Sequence, residues 1–177
     1  MMSVNQGDRI KAKVPMVMTV TKTISLFRLS LRVSTYVKNT IIDEIGINCG
    51  GMAIGSPTRF GSMASPMKYF LDSTGDLWAT NALENKPGIA FTSTSSMHGG
   101  QESTLFNLIT FMLHQGMLIA GTPYSVEELN KTKSGGTPYG PTHVENFNSS
   151  NELTKDEYEI ARKTGIRLAN LIINLNG

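Results

Sequence analysis

The sequence predicts an α/β domain built on a parallel sheet covered on both faces, and three observations lead there. Two short apolar runs, Met52-Ala-Ile-Gly55 and Gly88-Ile-Ala-Phe-Thr92, each pass into a loop of small residues and then into a helical pattern. A third apolar run, Met117-Leu-Ile-Ala120, follows the second helical pattern directly. Strand, helix, strand, helix, strand with short connections is the signature of a parallel sheet with helices on both faces. The two loops, Ser56-Pro-Thr-Arg-Phe-Gly61 and Ser93-Thr-Ser-Ser-Met-His-Gly-Gly-Gln-Glu102, leave the carboxyl ends of adjacent strands, where open α/β sheets bind ligands.

Taken in order, residues 1–13 are polar and charged and read as a loose terminus. Met16, Met18, Val20, Ile24 and Leu26 keep an alternating phase, which shifts by one residue and continues through Phe27, Leu29, Leu31 and Val33. Period two predicts a strand, a hairpin or a bulged ribbon, although no Gly or Pro between Met16 and Glu44 marks a turn. Past the first loop a helix is expected over about Ala64 to Asp72, with Met67, Phe70 and Leu71 inward. Gly75 to Pro87 reads as a connection. From Gln101 to Gln115 the spacing of Leu105, Leu108, Ile109, Met112 and Leu113 is helical, Glu102 favours the amino end, and Gly116 supplies the stop. Tyr124 to Asn151 is rich in Gly, Pro, Ser, Thr and Asn and reads as a long loop of functional or interface type. Thr154 and Glu157 form a capping box for a last helix, whose apolar stripe is Ile160, Ala161, Leu168, Leu171, Ile172 and Leu175.

At 177 residues the chain has the size of one domain that needs no disulfide or structural metal. A single Cys49 excludes an intramolecular disulfide framework and points to a reduced, cytoplasmic setting. Charge changes character near residue 50: residues 1–50 carry seven Lys/Arg and three Asp/Glu, the remainder nine and eleven. The basic residues are too scattered for a nucleic-acid surface. Lys22, Arg28 and Arg32 interrupt the apolar stretch from Val14 to Val33 well short of the roughly 18–20 residues of a membrane span. Three His and one Cys fall into no metal-ligand spacing, so no metal is expected, and no nucleophile elbow, Walker loop or Gly-x-Gly-x-x-Gly fingerprint occurs.

What remains is a pair of loops rich in backbone donors and hydroxyls, suited to a planar hydrogen-bonding heterocycle such as a flavin. Plainer readings stand beside this one. Loops of this composition also serve as ordinary connectors, and Arg59 is readable as an ion-pair or solvent residue. Trp78 is readable as a core or interface aromatic, and His114 as a last-turn residue facing the helix dipole.

Seven motifs then occur in one order: Gly55-Ser-Pro-Thr-Arg-Phe-Gly61, Phe70-Leu-Asp-x-Thr-Gly-x-Leu-Trp78, Phe91-Thr-Ser-Thr94, Gly99-Gly-Gln-Glu102, His114-x-Gly-Met117, Gly135-Gly-Thr-Pro-Tyr-Gly140 and Ile160-Ala-Arg162 with Gly165. In these the chain, from about Met52 to Gly177, resembles the WrbA family of FMN-dependent NAD(P)H:quinone oxidoreductases, which are flavodoxin-like and tetrameric. The resemblance implies a flavodoxin-like three-layer fold, FMN as cofactor, and NAD(P)H and a quinone as substrates. It also implies hydride transfer to flavin N5 followed by two-electron reduction of the quinone. Thr58, Arg59 and Phe60 would lie against the flavin ring, with Ser93, Thr94, Ser95, Ser96, Met97, His98 and Gly99 on its other side. His114 matches a position near the FMN, Trp78 an aromatic lining the substrate space, and the loop around Gly136 to Gly140 a region near subunit contacts.

Two departures from the family pattern stand out. Ser95-Ser96-Met97-His98 replaces the shorter Gly-Thr-Gly run of many members, and residues 1–50 contain no Ser-x-x-Gly-x-Thr loop for the FMN phosphate. Residues 1–50 are therefore expected to be a divergent or disrupted segment in which the usual first strand-loop-helix is replaced, with residues 51–177 as the flavodoxin-like portion. The alternative function is a non-catalytic remnant that binds FMN weakly or not at all.

Overall fold

The computed structural model describes residues 16–20, 49–145 and 152–176. The expected ribbon from Phe27 to Val33, the residues that would carry a phosphate loop, and the end of the long loop at 146–151 lie outside the described residues. The sheet is built on β2 (Gly51–Arg59) and β4 (Pro87–Thr94), paired in parallel from Met52↔Gly88 to Pro57↔Ser93. β5 (Leu118–Ile119) and β6 (Thr142–Val144) both lie parallel to β4, one along its beginning and the other along its end. They act as two halves of one strand interrupted by residues 120–141.

The other side of β2 is covered by β1 (Met16–Val20), which runs antiparallel with Val17 opposite Ile54. The expected parallel sheet thus carries one antiparallel strand at this edge. An α/β sheet of this kind accepts an antiparallel edge strand, and here that strand takes the place next to β2, so the edge is paired rather than open.

Both faces of the sheet are packed. On one side α1 (Ser65–Asp72) and α3 (Gln101–His114) bury Met67, Phe70, Leu71, Leu105, Leu108 and Met112 against Met52, Ile54 and Ala90. On the other, α5 (Lys155–Asn176) sets Leu168 and Ile172 on Ala53, Ile89 and Ala120. Every residue of β2 from Gly51 to Thr58 is buried, as a strand covered on both faces must be. The inward face predicted for α1 is observed; on α3 Leu105, Leu108 and Met112 are buried and Ile109 partly so, whereas Leu113 is exposed, and Gly116, at φ +74°, ends the helix. Of the stripe predicted on α5, Ile160, Leu168 and Ile172 are buried, whereas Leu175 is exposed. Cys49 is buried in the α1/α3 core, and burial pushes its thiol up against the opposing pull of Lys86.

The connection Gly75 to Pro87 contains a short helix, α2 (Gly75–Ala79), and the third strand is two residues long rather than four. The long loop also proved structured, containing α4 (Glu128–Lys131) and β6. Its anchor is Glu157, fully buried at the start of α5. One carboxylate oxygen accepts the backbone N–H groups of Gly135 (2.8 Å) and Val144 (3.0 Å). The other accepts Thr154 N–H (2.8 Å) and lies 3.0 Å from His143 Nδ1. With Glu157 N–H donating to Thr154 Oγ1 at 3.2 Å, the predicted capping box is present, and it extends to a second element.

Burial pushes the Glu157 carboxyl up, but the bonds from Val144, Thr154, His143 and Gly135 outweigh it and hold the group below its ordinary value of 4.5. A carboxylate depressed in the folded state stabilises the fold fully above its unfolded value. That contribution is lost as the pH falls through the lower, folded value. Thermal melts from neutral pH downward should therefore fall on the acid side, and Glu157→Gln should flatten that limb.

Candidate functional site

The first loop is not a loose connection. β2 continues through Ser56, Pro57, Thr58 and Arg59, two residues turn at Phe60-Gly61, and β3 (Ser62–Met63) pairs back with Thr58 opposite Met63. Two-residue hairpins require positive φ at both turn positions when the turn is of type I′. Phe60 (φ 51°) and Gly61 (φ 76°) meet that requirement. Glycine does so freely, whereas a bulky aromatic in the left-handed region is strained. The Phe60 side chain is fully exposed, so no packing among the described residues repays this strain.

The hydroxyls beneath the hairpin hold it to the sheet. Thr92 Oγ1 donates to Ser56 O (2.7 Å) and accepts from Thr58 Oγ1 (3.0 Å). Ser56 Oγ accepts Ala64 N–H at 2.9 Å, which fixes the entry to α1. The Thr58 side chain is thereby engaged inside the protein. Arg59 is exposed, and its guanidinium folds back to donate to Thr58 O at 3.0 Å.

The second loop starts later than the sequence suggests, because β4 includes Ser93 and Thr94. Ser95 to Gly100 then form a tight turn before α3. Thr94 Oγ1 (2.8 Å), Gly99 N–H (3.2 Å) and Gln101 Nε2 (3.1 Å) all donate to Ser96 O. Ser95, Ser96, Met97 and His98 are exposed.

The two loops meet. Ser103 Oγ lies 2.7 Å from Gly61 O and 3.0 Å from Gly100 O, and a Cβ placed on Gly100 would stand 2.7 Å from Gly61 Cα. Thr58, Arg59, Phe60 and the segment Ser93 to Gly99 are thus brought together at the carboxyl end of the sheet. Thr92, Gln101 and Ser103, which organise that end, were not singled out from the sequence. Gln101 was visible only as part of Gly99-Gly-Gln-Glu102.

Trp78 and His114 are placed elsewhere. α3 starts at the second loop and runs back along the sheet for 14 residues, about 21 Å at 1.5 Å per residue. His114 ends it, exposed, and the next residue, Gln115, donates from Nε2 to Thr74 Oγ1 at 3.2 Å. Thr74 directly precedes α2, which carries Trp78, 60% exposed. Trp78 and His114 therefore share the end of the domain opposite the two loops. Among the described residues no cluster of His, Cys, Asp or Glu could hold a metal ion.

The family described as NADPH-dependent FMN reductase matches residues 43–130, beginning nine residues before the apolar run at Met52. A NAD(P)H dehydrogenase (quinone) from Chromohalobacter salexigens is 47% identical over 128 residues, covering 71% of this chain and 64% of that protein. Another of the same name, from Acidithiobacillus ferrooxidans, is 45% identical over 132 residues, covering 73% and 66%. The chain thus spans slightly less than two thirds of the length of these curated relatives. The crystal structure of a flavodoxin, a WrbA-like protein from Agrobacterium tumefaciens, superimposes with a TM-score of 0.54 over 71% of this chain and 68% of that one, at 22% identity. That likeness establishes the fold. Beyond the fold, the chain is similar, at nearly one-half identity over 128 and 132 residues, to two proteins named NAD(P)H dehydrogenase (quinone).

Proposed function

We propose that the chain acts as an FMN-dependent NAD(P)H:quinone oxidoreductase, with residues 51–177 forming its flavodoxin-like portion and residues 1–50 a divergent segment. The observation that carries this reading is Phe60, strained and wholly exposed on a hairpin that abuts a second loop of exposed residues, Ser95 to His98. Strain of this kind persists where the surroundings over-determine it and clusters at ligand sites. The residues present fit the flavin ring: the Thr58–Phe60 backbone and the Phe60 ring on one side, Ser93 to Gly99 on the other. FMN, when bound there, supplies two-electron hydride chemistry between a nicotinamide and a quinone. The protein's part is to bind and orient the ring, exclude water from it and place both substrates against it.

The separation of Trp78 and His114 from the loops supports a homotetramer in this reading. A site containing both sets of residues forms only where the far end of one copy meets the loop end of another. Sedimentation of the flavin-loaded protein should then give a species of four chains, and a monomer with full activity would overturn this arrangement. A cytoplasmic location accords with the single buried thiol, and no described helix is long and apolar enough to cross a membrane.

NADH oxidation with benzoquinone as acceptor, with and without added FMN, tests the activity. The expected result is FMN-dependent turnover. FMN retention without turnover, or no retention at micromolar protein, would favour a non-catalytic flavodoxin-like protein. Because residues 1–50 contain no recognisable phosphate loop, FMN and riboflavin should bind with similar affinity. A large preference for FMN would show that a phosphate site is present.

A further inference from the structure

The buried side chain of Gln101 donates two hydrogen bonds from a single nitrogen, to Ser96 O at 3.1 Å and to Met97 O at 2.9 Å. Both acceptors are main-chain carbonyls of the second loop, and they are drawn toward the amino end of α3. All described peptide bonds are trans, and in a trans peptide the C=O and the following N–H point in opposite directions. Turning Ser96 C=O inward therefore turns Met97 N–H outward, and turning Met97 C=O inward does the same for His98 N–H. Among the described residues neither N–H donates to any protein group, and both residues are exposed.

We infer that Gln101 is a positioning residue that fixes Met97 N–H and His98 N–H as a pair of adjacent, outward-facing donors for a carbonyl or ring-nitrogen acceptor on the bound heterocycle. The inference rests on the flavin reading above and names the atoms by which the second loop takes part in it. A second feature separates this role from simple stabilisation. The other half of the same amide, Oε1, is buried and accepts from no described group, and an unpaired buried acceptor is a cost to the fold. The residue is thus poorly matched to its surroundings except through the two bonds that orient the loop.

The test uses the full chain and its Gln101→Met variant, which keeps the side chain's length and removes the amide. Riboflavin is the probe, so that phosphate contacts do not enter. In the wild type, adding riboflavin should move the amide resonances of Met97 and His98 and shift the flavin absorption bands. In Gln101→Met the dissociation constant should rise about tenfold, the equivalent of one lost hydrogen bond to an oriented donor, with a smaller absorption shift. The Met97 and His98 amide resonances should also differ from wild type before any flavin is added.

Wild-type affinity and spectrum in the variant would overturn the inference while leaving the flavin reading intact. So would unchanged Met97 and His98 resonances in the flavin-free variant, whatever happens to its melting temperature. A wild-type protein that binds no riboflavin would overturn the flavin reading itself.

Discussion

Replacing Glu157 by alanine is expected to cost roughly 3–5 kcal/mol of folding free energy, the range found when one partner of a buried charged network is removed. The effect is large because four donors lose their acceptor together: the N–H groups of Gly135, Val144 and Thr154, and His143 Nδ1. At 2–4 °C per kcal/mol for a domain of this size, the melting temperature should fall by about 10 °C. Glu157→Gln keeps one acceptor oxygen but turns an NH2 toward two of the donors, so it should fall between alanine and wild type. Because Glu157 ties the start of α5 to the Gly135–Gly140 loop and to β6, loss of protection in hydrogen exchange should appear first at Val144 and Glu145. A loss below about 1 kcal/mol, within the range of a single ordinary hydrogen bond, would show that the carboxylate is not the anchor of this corner.

Gly55→Ala is the second large effect. β2 presents Gly51, Ala53 and Gly55 on the face toward α5, and the small side chains leave room for the Phe91 ring and for Ile172. A Cβ on Gly55 would enter the Phe91 ring, and one on Gly51 would come within 2.8 Å of Ile172 Cδ1. Overpacking of this kind costs about 1–3 kcal/mol. The site would suffer with the core, because Gly55 immediately precedes the hairpin that carries Phe60, and any shift of β2 is passed to the turn. The mechanism makes a specific forecast for the double variant: Phe91→Leu should relieve Gly55→Ala, so that the pair is more stable than Gly55→Ala alone. Strict additivity of the two losses would place the clash elsewhere.

These two positions also illustrate how far the sequence could be read. Helices α1, α3 and α5 were legible because Met67, Phe70 and Leu71, then Leu105, Leu108 and Met112, then Ile160, Leu168 and Ile172 repeat at helical spacing. The Thr154/Glu157 cap was legible for the same local reason. β6 was not. Thr142-His143-Val144 is a three-residue strand inside a Gly- and Pro-rich segment, and it exists because β4 offers a free edge and Glu157 holds Val144 N–H. Neither cause is local in sequence.

The hairpin of the first loop was hidden by its composition. Ser56-Pro57-Thr58-Arg59 reads as a turn, yet it is strand, because Thr58 and Thr92 hydroxyls bind across the sheet and β3 pairs back. At the amino end, the alternation of Met16, Met18 and Val20 indicated a strand. Its antiparallel direction depends on the partner and not on the pattern.

The candidate site was legible as two separate loops and not in how they meet. The motifs assigned Thr58 to Phe60 and Ser93 to Gly99 to one ligand, and the structure places them together. They also assigned Trp78 and His114 to that ligand's surroundings, whereas within one chain these two stand at the opposite end. Nothing in residue spacing distinguishes a contact made within a chain from one made between copies.

The central claim, that the two loops jointly form a flavin-ring site, is tested most directly by titrating FMN with the wild type and with Gly100→Val, following flavin fluorescence. Gly100 lies at φ +90° against Gly61, so a side chain there is strained and drives the two loops apart. The prediction is saturable quenching by the wild type at micromolar protein and its loss in Gly100→Val, with far-ultraviolet circular dichroism unchanged. Equal quenching by both proteins, or none by the wild type, would contradict it.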